Sequence, residues 1–181
     1  MKIVCLNGSP NAGSLDEYLE KLDAELTRSG HEIERFDLRS LNLPRCTGCF
    51  GCWVKTPGEC VSKDASHEIS RAVIHADLVL FASPLIMGFT SALLKTATDK
   101  LIQLLHPYVT FVQNEMHHAP RYSRYPAWGV IAAPEADTDD EDLAIVRRIY
   151  ERAALNFKTD LRFMAVSTQS VEEVAHEFAA H

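Results

Sequence analysis

The stretch CTGCFGCWVKTPGEC, residues 46–60, carries Cys46, Cys49, Cys52 and Cys60 in the spacing C-x2-C-x2-C-x7-C, four of the chain's five cysteines. Thiols grouped this tightly can ligate a metal, exchange electrons, or pack without reacting. Zinc sites usually pair two separated C-x2-C knuckles, which this single loop does not offer. Two other stretches have the composition of binding loops. GSPNAGS, residues 8–14, is rich in small residues and stands between an apolar run and a helical one. Its backbone N–H groups and hydroxyls can cradle a phosphate at a helix N-terminus. It lacks both the Gly-Lys-Ser/Thr end of a P-loop and the G-x-G-x-x-G pattern. A plain turn capped by Ser14 explains it equally well. In SPLIMGF, residues 83–89, Pro84 and Gly88 shape a loop that lets backbone approach a flat ligand. Leu85, Ile86 and Met87 offer apolar contact there, although each alone reads as core packing at a loop end.

The elements that must position these loops are legible from periodicity. KIVCLN (2–7) is a buried strand ending in the first loop. Ser14 caps a helix with Leu15, Leu19, Leu22 and Leu26 at helical spacing, stopped by Gly30. EIERFDL (32–38) alternates as a second strand, and the cysteine loop follows. Asp64 opens a helix with Ile69, Val73 and Ile74 inward, leading to a third strand, DLVLFAS (77–83). A helix from about Thr90 to Leu105, a strand at 127–133, a helix at 139–157, a strand at 161–167 and a terminal helix complete the pattern. Continuously apolar strands alternating with helices imply an α/β fold, a parallel sheet covered on both faces. Five such units over residues 1–181 fit one flavodoxin-like, doubly wound domain with strand order 2-1-3-4-5. Ligands on such a sheet bind outside the carboxyl ends of the strands, at the switch between strands one and three. That edge carries loops 8–14, 38–60, 83–89 and 134–138, so the cysteines are expected over it, walling the pocket with Phe50 and Trp53 as apolar anchors.

Other candidates read more plainly. Residues 106–126 form a long loop, with His117 and His118 exposed and Arg121, Tyr122, Arg124 and Tyr125 expected to meet a dinucleotide phosphate or, in preference, a neighbouring subunit. The acidic run 135–142 caps a helix, Cys5 packs in the core, and His67 and His75 face solvent or a cap. The 181 residues carry a formal net charge of −7 with 46% hydrophobic and 24% charged residues, which argues against a nucleic-acid binder. No apolar run approaches a membrane span. A first strand at Lys2 leaves no room for a signal peptide in this sequence, so the chain is expected in the cytoplasm, where thiols stay reduced.

LNGSP after strand one, C-x-GC-x-x-C-x7-C after strand two and SPL-x-x-G-x-x-x-x-LLK after strand three together resemble the NADPH-dependent FMN reductases and iron–sulfur flavoproteins. The resemblance covers residues 2 to 105 and extends to the remainder only as fold. It implies bound FMN, its phosphate on loop 8–14 at Ser9, Asn11, Gly13 and Ser14 and its isoalloxazine ring on loop 83–89 at Pro84, Leu85, Ile86, Met87 and Gly88, in a homodimer or homotetramer. It also implies a compact-motif [4Fe–4S] cluster at Cys46, Cys49, Cys52 and Cys60 as an alternative to zinc and to metal-free thiols, the last being preferred. Three departures bear on affinity. Asn11 stands where an arginine is common, Ile86 where an aromatic is common, and Asp16 in the first helical turn repels a phosphate dianion.

The function this implies is an FMN-dependent oxidoreductase. NAD(P)H would be the co-substrate, and a quinone, nitro compound, metal ion or partner protein would accept the electrons. No side chain is assigned as a catalytic acid or base. The alternatives are an iron–sulfur flavoprotein relaying single electrons and a non-enzymatic thiol sensor or binding module with an empty flavin site.

Overall fold

The computed structural model describes residues 1–179. Its central sheet is built from β1 (Lys2–Asn7), β2 (Glu32–Asp37), β3 (Leu78–Ile86), β7 (Ala127–Ala133) and β8 (Leu161–Val166) in the order β2-β1-β3-β7-β8. All four neighbouring pairs are parallel. This is the expected 2-1-3-4-5 order of a flavodoxin-like sheet.

The helices are α1 (Ser14–Arg28), α2 (Gly51–Val54), α3 (Ser66–Ile74), α4 (Ala92–Lys100), α5 (Asp140–Asn156) and α6 (Val171–Ala179). In α1 the four leucines at positions 15, 19, 22 and 26 are all buried, and they form one apolar stripe. Gly30 ends the helix at φ 83°, where its N–H reaches the Thr27 carbonyl and the His31 N–H reaches that of Leu26. Together α1 and α6 cover one face with Cys5, Leu80, Ile131 and Phe163. Burial pushes the Cys5 thiol far above its ordinary range, so it packs as an inert core residue. The other face, under α3, α4 and α5, centres on Trp128, whose ring lies 4.7 Å from Phe81 and 5.1 Å from Phe157. As expected, the acidic run caps α5: Asp139 accepts from the N–H groups of Glu141 (2.8 Å) and Asp142 (3.0 Å).

Three expectations are corrected. Thr90 does not begin a helix: β3 runs on to Ile86 and turns back into β4 (Phe89–Thr90), and Ser91 is the N-cap of α4. Gly13, not Ser14, stands at the N-cap of α1, whereas Asp64 does open α3, its side chain accepting the Ser66 N–H at 2.9 Å. Residues 106–126 are mostly not a loop. They form a separate hairpin of β5 (Leu105–Val112) and β6 (Glu115–Pro120), joined by Gln113 and Asn114 at φ 47° and 65°. Positive φ at both central residues is the two-residue turn that matches strand twist, and asparagine tolerates it.

Candidate functional site

The first loop leaves β1 at Asn7, which is fully buried. Asn7 Oδ1 accepts the Ser9 N–H at 3.0 Å, and its Nδ2 donates to Asp16 Oδ1 at 2.7 Å and Asp37 Oδ1 at 2.8 Å. Arg39, just past β2, donates to the same Asp16 oxygen at 2.8 Å, while Asp16 Oδ2 accepts the Gly13 N–H at 2.9 Å. One carboxylate therefore caps α1 and ties its start to two strands. Burial pushes the Asp16 carboxyl up, but the hydrogen bonds from Arg39, Asn7 and Gly13 outweigh it and hold it below the usual carboxylate range. Asp16 is thus not the free repelling charge that the sequence suggested.

A second set of bonds joins this loop to the ring loop. The Gly8 N–H donates to the Ala82 carbonyl at 2.8 Å, and Ser91 Oγ donates to the Gly8 carbonyl at 2.5 Å. The Ser91 N–H in turn reaches Ser83 Oγ at 2.8 Å. Gly8 has no room for a side chain, since a Cβ would lie 2.7 Å from Leu94 Cβ. Ser9 is buried, whereas Asn11, Gly13 and Ser14 are exposed, with open space where a Gly13 Cβ would point. Among the described residues, the first-turn amides of Ser14 and Leu15 find no acceptor. A helix N-terminus with free donors and open space above fits a phosphate.

In the ring loop, Met87 (φ 52°) and Gly88 (φ 75°) form the two-residue turn between β3 and β4. Met87 is 95% exposed and Ile86 is 41% exposed, so both present apolar surface at the carboxyl edge. Pro84 is half-buried. The Leu85 side chain is fully buried in the core below and offers no surface to a ligand.

The cysteine loop goes elsewhere. An apolar cavity of ≈ 460 Å³ is lined by Cys46, Cys52, Phe50 and Trp53 together with Ile102, Trp128 and Phe157. Trp128 opens β7, and Phe157 follows the C-terminus of α5, so the cavity lies toward the amino edge of the sheet. The expectation that this loop walls the carboxyl edge is therefore overturned. Trp53 anchors it instead to the β5–β6 hairpin, donating from Nε1 to the Leu105 carbonyl at 3.0 Å and packing on His118 at 5.1 Å. Gly48 (φ 65°) and Phe50 (φ 57°) bend the loop.

All four thiols are free, with Cys46 and Cys49 exposed. Hydrogen bonds from Gly51 and Thr47 hold the Cys49 thiol below its usual range, whereas burial pushes that of Cys52 up. Cys60 lies 3.8 Å from Lys100 Nζ, which is buried and paired with Asp64 at 2.6 Å. Four thiols in one loop have the donor chemistry of an iron–sulfur site. As placed they do not fit one: among the described residues, no group of three or more metal-ligating side chains converges.

Within the chain, Arg121 donates to the Leu105 carbonyl, Arg124 pairs with Asp77 at 3.2 Å, and the Tyr125 hydroxyl donates to the Leu104 carbonyl. His67 bonds the Cys60 carbonyl at 2.8 Å and does not simply face solvent. Asn7, Arg39, Asp37 and Ser91 were not singled out from the sequence. A buried polar residue at the end of β1 was the one local signal available.

Comparison with known proteins bears on the family and the fold. An iron–sulfur flavoprotein of Archaeoglobus fulgidus is 36% identical over 107 residues, covering 59% of this chain and 48% of that protein. One from Methanocaldococcus jannaschii is 33% identical over 102 residues, covering 55% and 51%. The chain thus spans about half the length of the curated relatives it matches. Among solved structures, an NAD(P)H:quinone oxidoreductase from Methanothermobacter marburgensis superposes with TM-score 0.69 at 15% identity, covering 100% of this chain and 98% of that one. An azoreductase from Bacillus anthracis gives TM-score 0.68 at 13% identity, covering 97% of each. At such identities the superpositions establish the shared fold. No described helix is long and apolar enough to cross a membrane. A family model for NADPH-dependent FMN reductases matches residues 1–117, the span that holds loop 8–14, the cysteine loop and loop 83–89, and the chain belongs to that family.

Proposed function

We propose that this chain is an FMN-dependent oxidoreductase that takes electrons from NAD(P)H and passes them to a small-molecule or protein acceptor. The observation that carries this reading is the pairing of two loops at the switch between β1 and β3. The first-turn amides of α1 stand free, and the Met87–Gly88 turn is stitched beside them through Gly8, Ser83 and Ser91. Ser9, Asn11, Gly13 and Ser14 would hold the FMN phosphate, and Pro84, Ile86, Met87 and Gly88 the ring. The bound flavin supplies the redox chemistry, and the protein contributes binding, orientation and exclusion of water. Membership of the FMN reductase family and the quinone- and azo-reducing fold neighbours support the same reading.

Flavin titration tests it. Ser14→Asp sets a second carboxylate against the phosphate and should weaken FMN binding at least ~10-fold. Unchanged affinity would move the phosphate off this loop. Asn11→Arg should tighten binding.

The names of the curated relatives favour a second reading, in which Cys46, Cys49, Cys52 and Cys60 hold a [4Fe–4S] cluster. It requires the four thiols to draw together, since among the described residues no three ligating side chains converge. Protein purified anaerobically and analysed for iron and sulfide decides: about four irons per chain, lost in Cys49→Ala, establishes this reading, and none removes it.

A further inference from the structure

A flavin phosphate on the first loop brings about two negative charges at neutral pH. Residues 8–20 hold no lysine or arginine to meet them, only Asp16, Glu17 and Glu20. Lys21, the next cation along α1, stands two turns past Ser14, about 10 Å down the helix. A closer cation arrives from β2. Asp37 lies opposite Asn7 in the register of β1 and β2, and the chain then makes a 3-10 turn, Leu38–Ser40. Leu38 is buried, and Ser40 Oγ donates to the Asp37 carbonyl at 2.7 Å, which fixes the turn. Arg39, between them, reaches across to α1, where its Nη1 donates to Asp16 Oδ1 at 2.8 Å. The other Asp16 oxygen accepts the Gly13 N–H at 2.9 Å, so no more than about 8 Å separates that guanidinium nitrogen from the Gly13 nitrogen. Among the described residues, Nε and Nη2 of Arg39 find no acceptor, and the side chain is 26% exposed. Arg35, the other arginine at this end of β2, is held by Asp23 at 2.8 Å and Asp37 at 3.7 Å.

Resting on the flavin reading above, we propose that Arg39 recognises the flavin phosphate with its free donors while Nη1 stays on Asp16, and thereby makes the site select FMN over riboflavin. A guanidinium presents its donors in a planar fork, so it can hold a carboxylate on one side and a phosphate oxygen on another. Asp16 is then the positioning residue. It fixes the guanidinium beside the free first-turn amides of α1, and Arg39 offsets the charge that would otherwise repel the phosphate.

Fluorescence titration with FMN and with riboflavin, on the parent and on Arg39→Gln, tests the proposal. The parent should bind FMN more tightly than riboflavin. Arg39→Gln should raise the FMN dissociation constant about 10–100-fold and leave that of riboflavin within about two-fold. Because the substitution also uncovers the Asp16 charge, it is repeated in Asp16→Asn. An FMN-specific loss that persists there supports direct contact with the phosphate. A loss that disappears means that Arg39 only offsets Asp16, which overturns the proposal. An equal loss for both flavins, or no loss, overturns it too and leaves the flavin reading standing, whereas a parent that binds neither flavin removes both. Should the variants fail to fold, phenylglyoxal modification of the unaltered chain, read at Arg39 by peptide mass spectrometry, replaces them. Protection of Arg39 by FMN and not by riboflavin supports the proposal, and equal modification with either refutes it.

Discussion

Replacing Asp16 by asparagine separates two roles for this residue, phosphate repulsion and loop construction. The carboxylate accepts from Asn7 and Arg39 on one oxygen and from the Gly13 N–H on the other, at 2.7 to 2.9 Å, and its side chain is only 15% exposed. An asparagine keeps one acceptor oxygen and turns an NH2 toward donors. Whichever way it flips, charge-assisted bonds become neutral ones, worth about 1 kcal/mol less each, and a donor is left facing a donor at about 1–3 kcal/mol. The expected loss is about 2–4 kcal/mol, or ~5–15 °C in melting temperature for a chain of this size. The sign with pH follows from the lowered carboxyl. Its stabilisation is fully present above the unfolded value near ~3.9 and is lost as pH falls through the lower folded value. Urea unfolding of both proteins should therefore show a constant gap from neutrality down to about pH 5 that narrows below about pH 4. A variant as stable as the parent at pH 7 would refute this account, as would a gap that does not narrow in acid. If Asp16→Asn bound FMN more tightly without loss of stability, repulsion would be its main role after all.

Two other substitutions probe the framework. Lys100→Met leaves Asp64, whose side chain is 2% exposed, without its cation at 2.6 Å, and should cost about 3–5 kcal/mol in denaturant unfolding at pH 7. Burial would then raise the carboxyl that Lys100 and Ser66 now hold low, so the deficit should shrink in acid, and a deficit independent of pH would count against the ion pair. Gly8→Ala drives a methyl to 2.7 Å from Leu94 Cβ and 2.9 Å from Ser91 Oγ, and overpacking of that kind costs about 1–3 kcal/mol. Calorimetry and flavin titration should show both stability and FMN retention falling together; unchanged retention would mean that the two loops are not coupled through Ser91.

The strand order was legible because its signals are local. Continuous apolar runs such as KIVCLN, the leucine stripe of α1 and the stop at Gly30 each depend on residues a few positions apart, and alternation of strands with helices then admits few topologies. The hairpin was half-legible: VTFV alternates and Gln113–Asn114 is a workable turn, but Pro107, Pro120 and the paired histidines read as irregular chain. The phosphate and ring loops could be named from their small residues, yet what builds them could not. Asn7 meets Asp37 across 30 positions, Arg39 meets Asp16 across 23, and Ser91 meets Gly8 across 83. Partners that distant are chosen by where the strands deliver them, and no periodicity encodes that. The cysteine loop shows the same limit most clearly. Its position after β2 suggested the carboxyl edge, but a segment running from 41 to 65 is long enough to reach either end of the sheet. The hydrogen bond from Trp53 to Leu105, the contact of its ring with His118 and the seat of Cys60 beside Lys100 draw it to the amino edge. Sequence alone determined the five strands of the main sheet and the order in which they pair. Tertiary structure decided which edge each long connection covers, because burial of a few large side chains outweighs the small entropic cost of redirecting a loop.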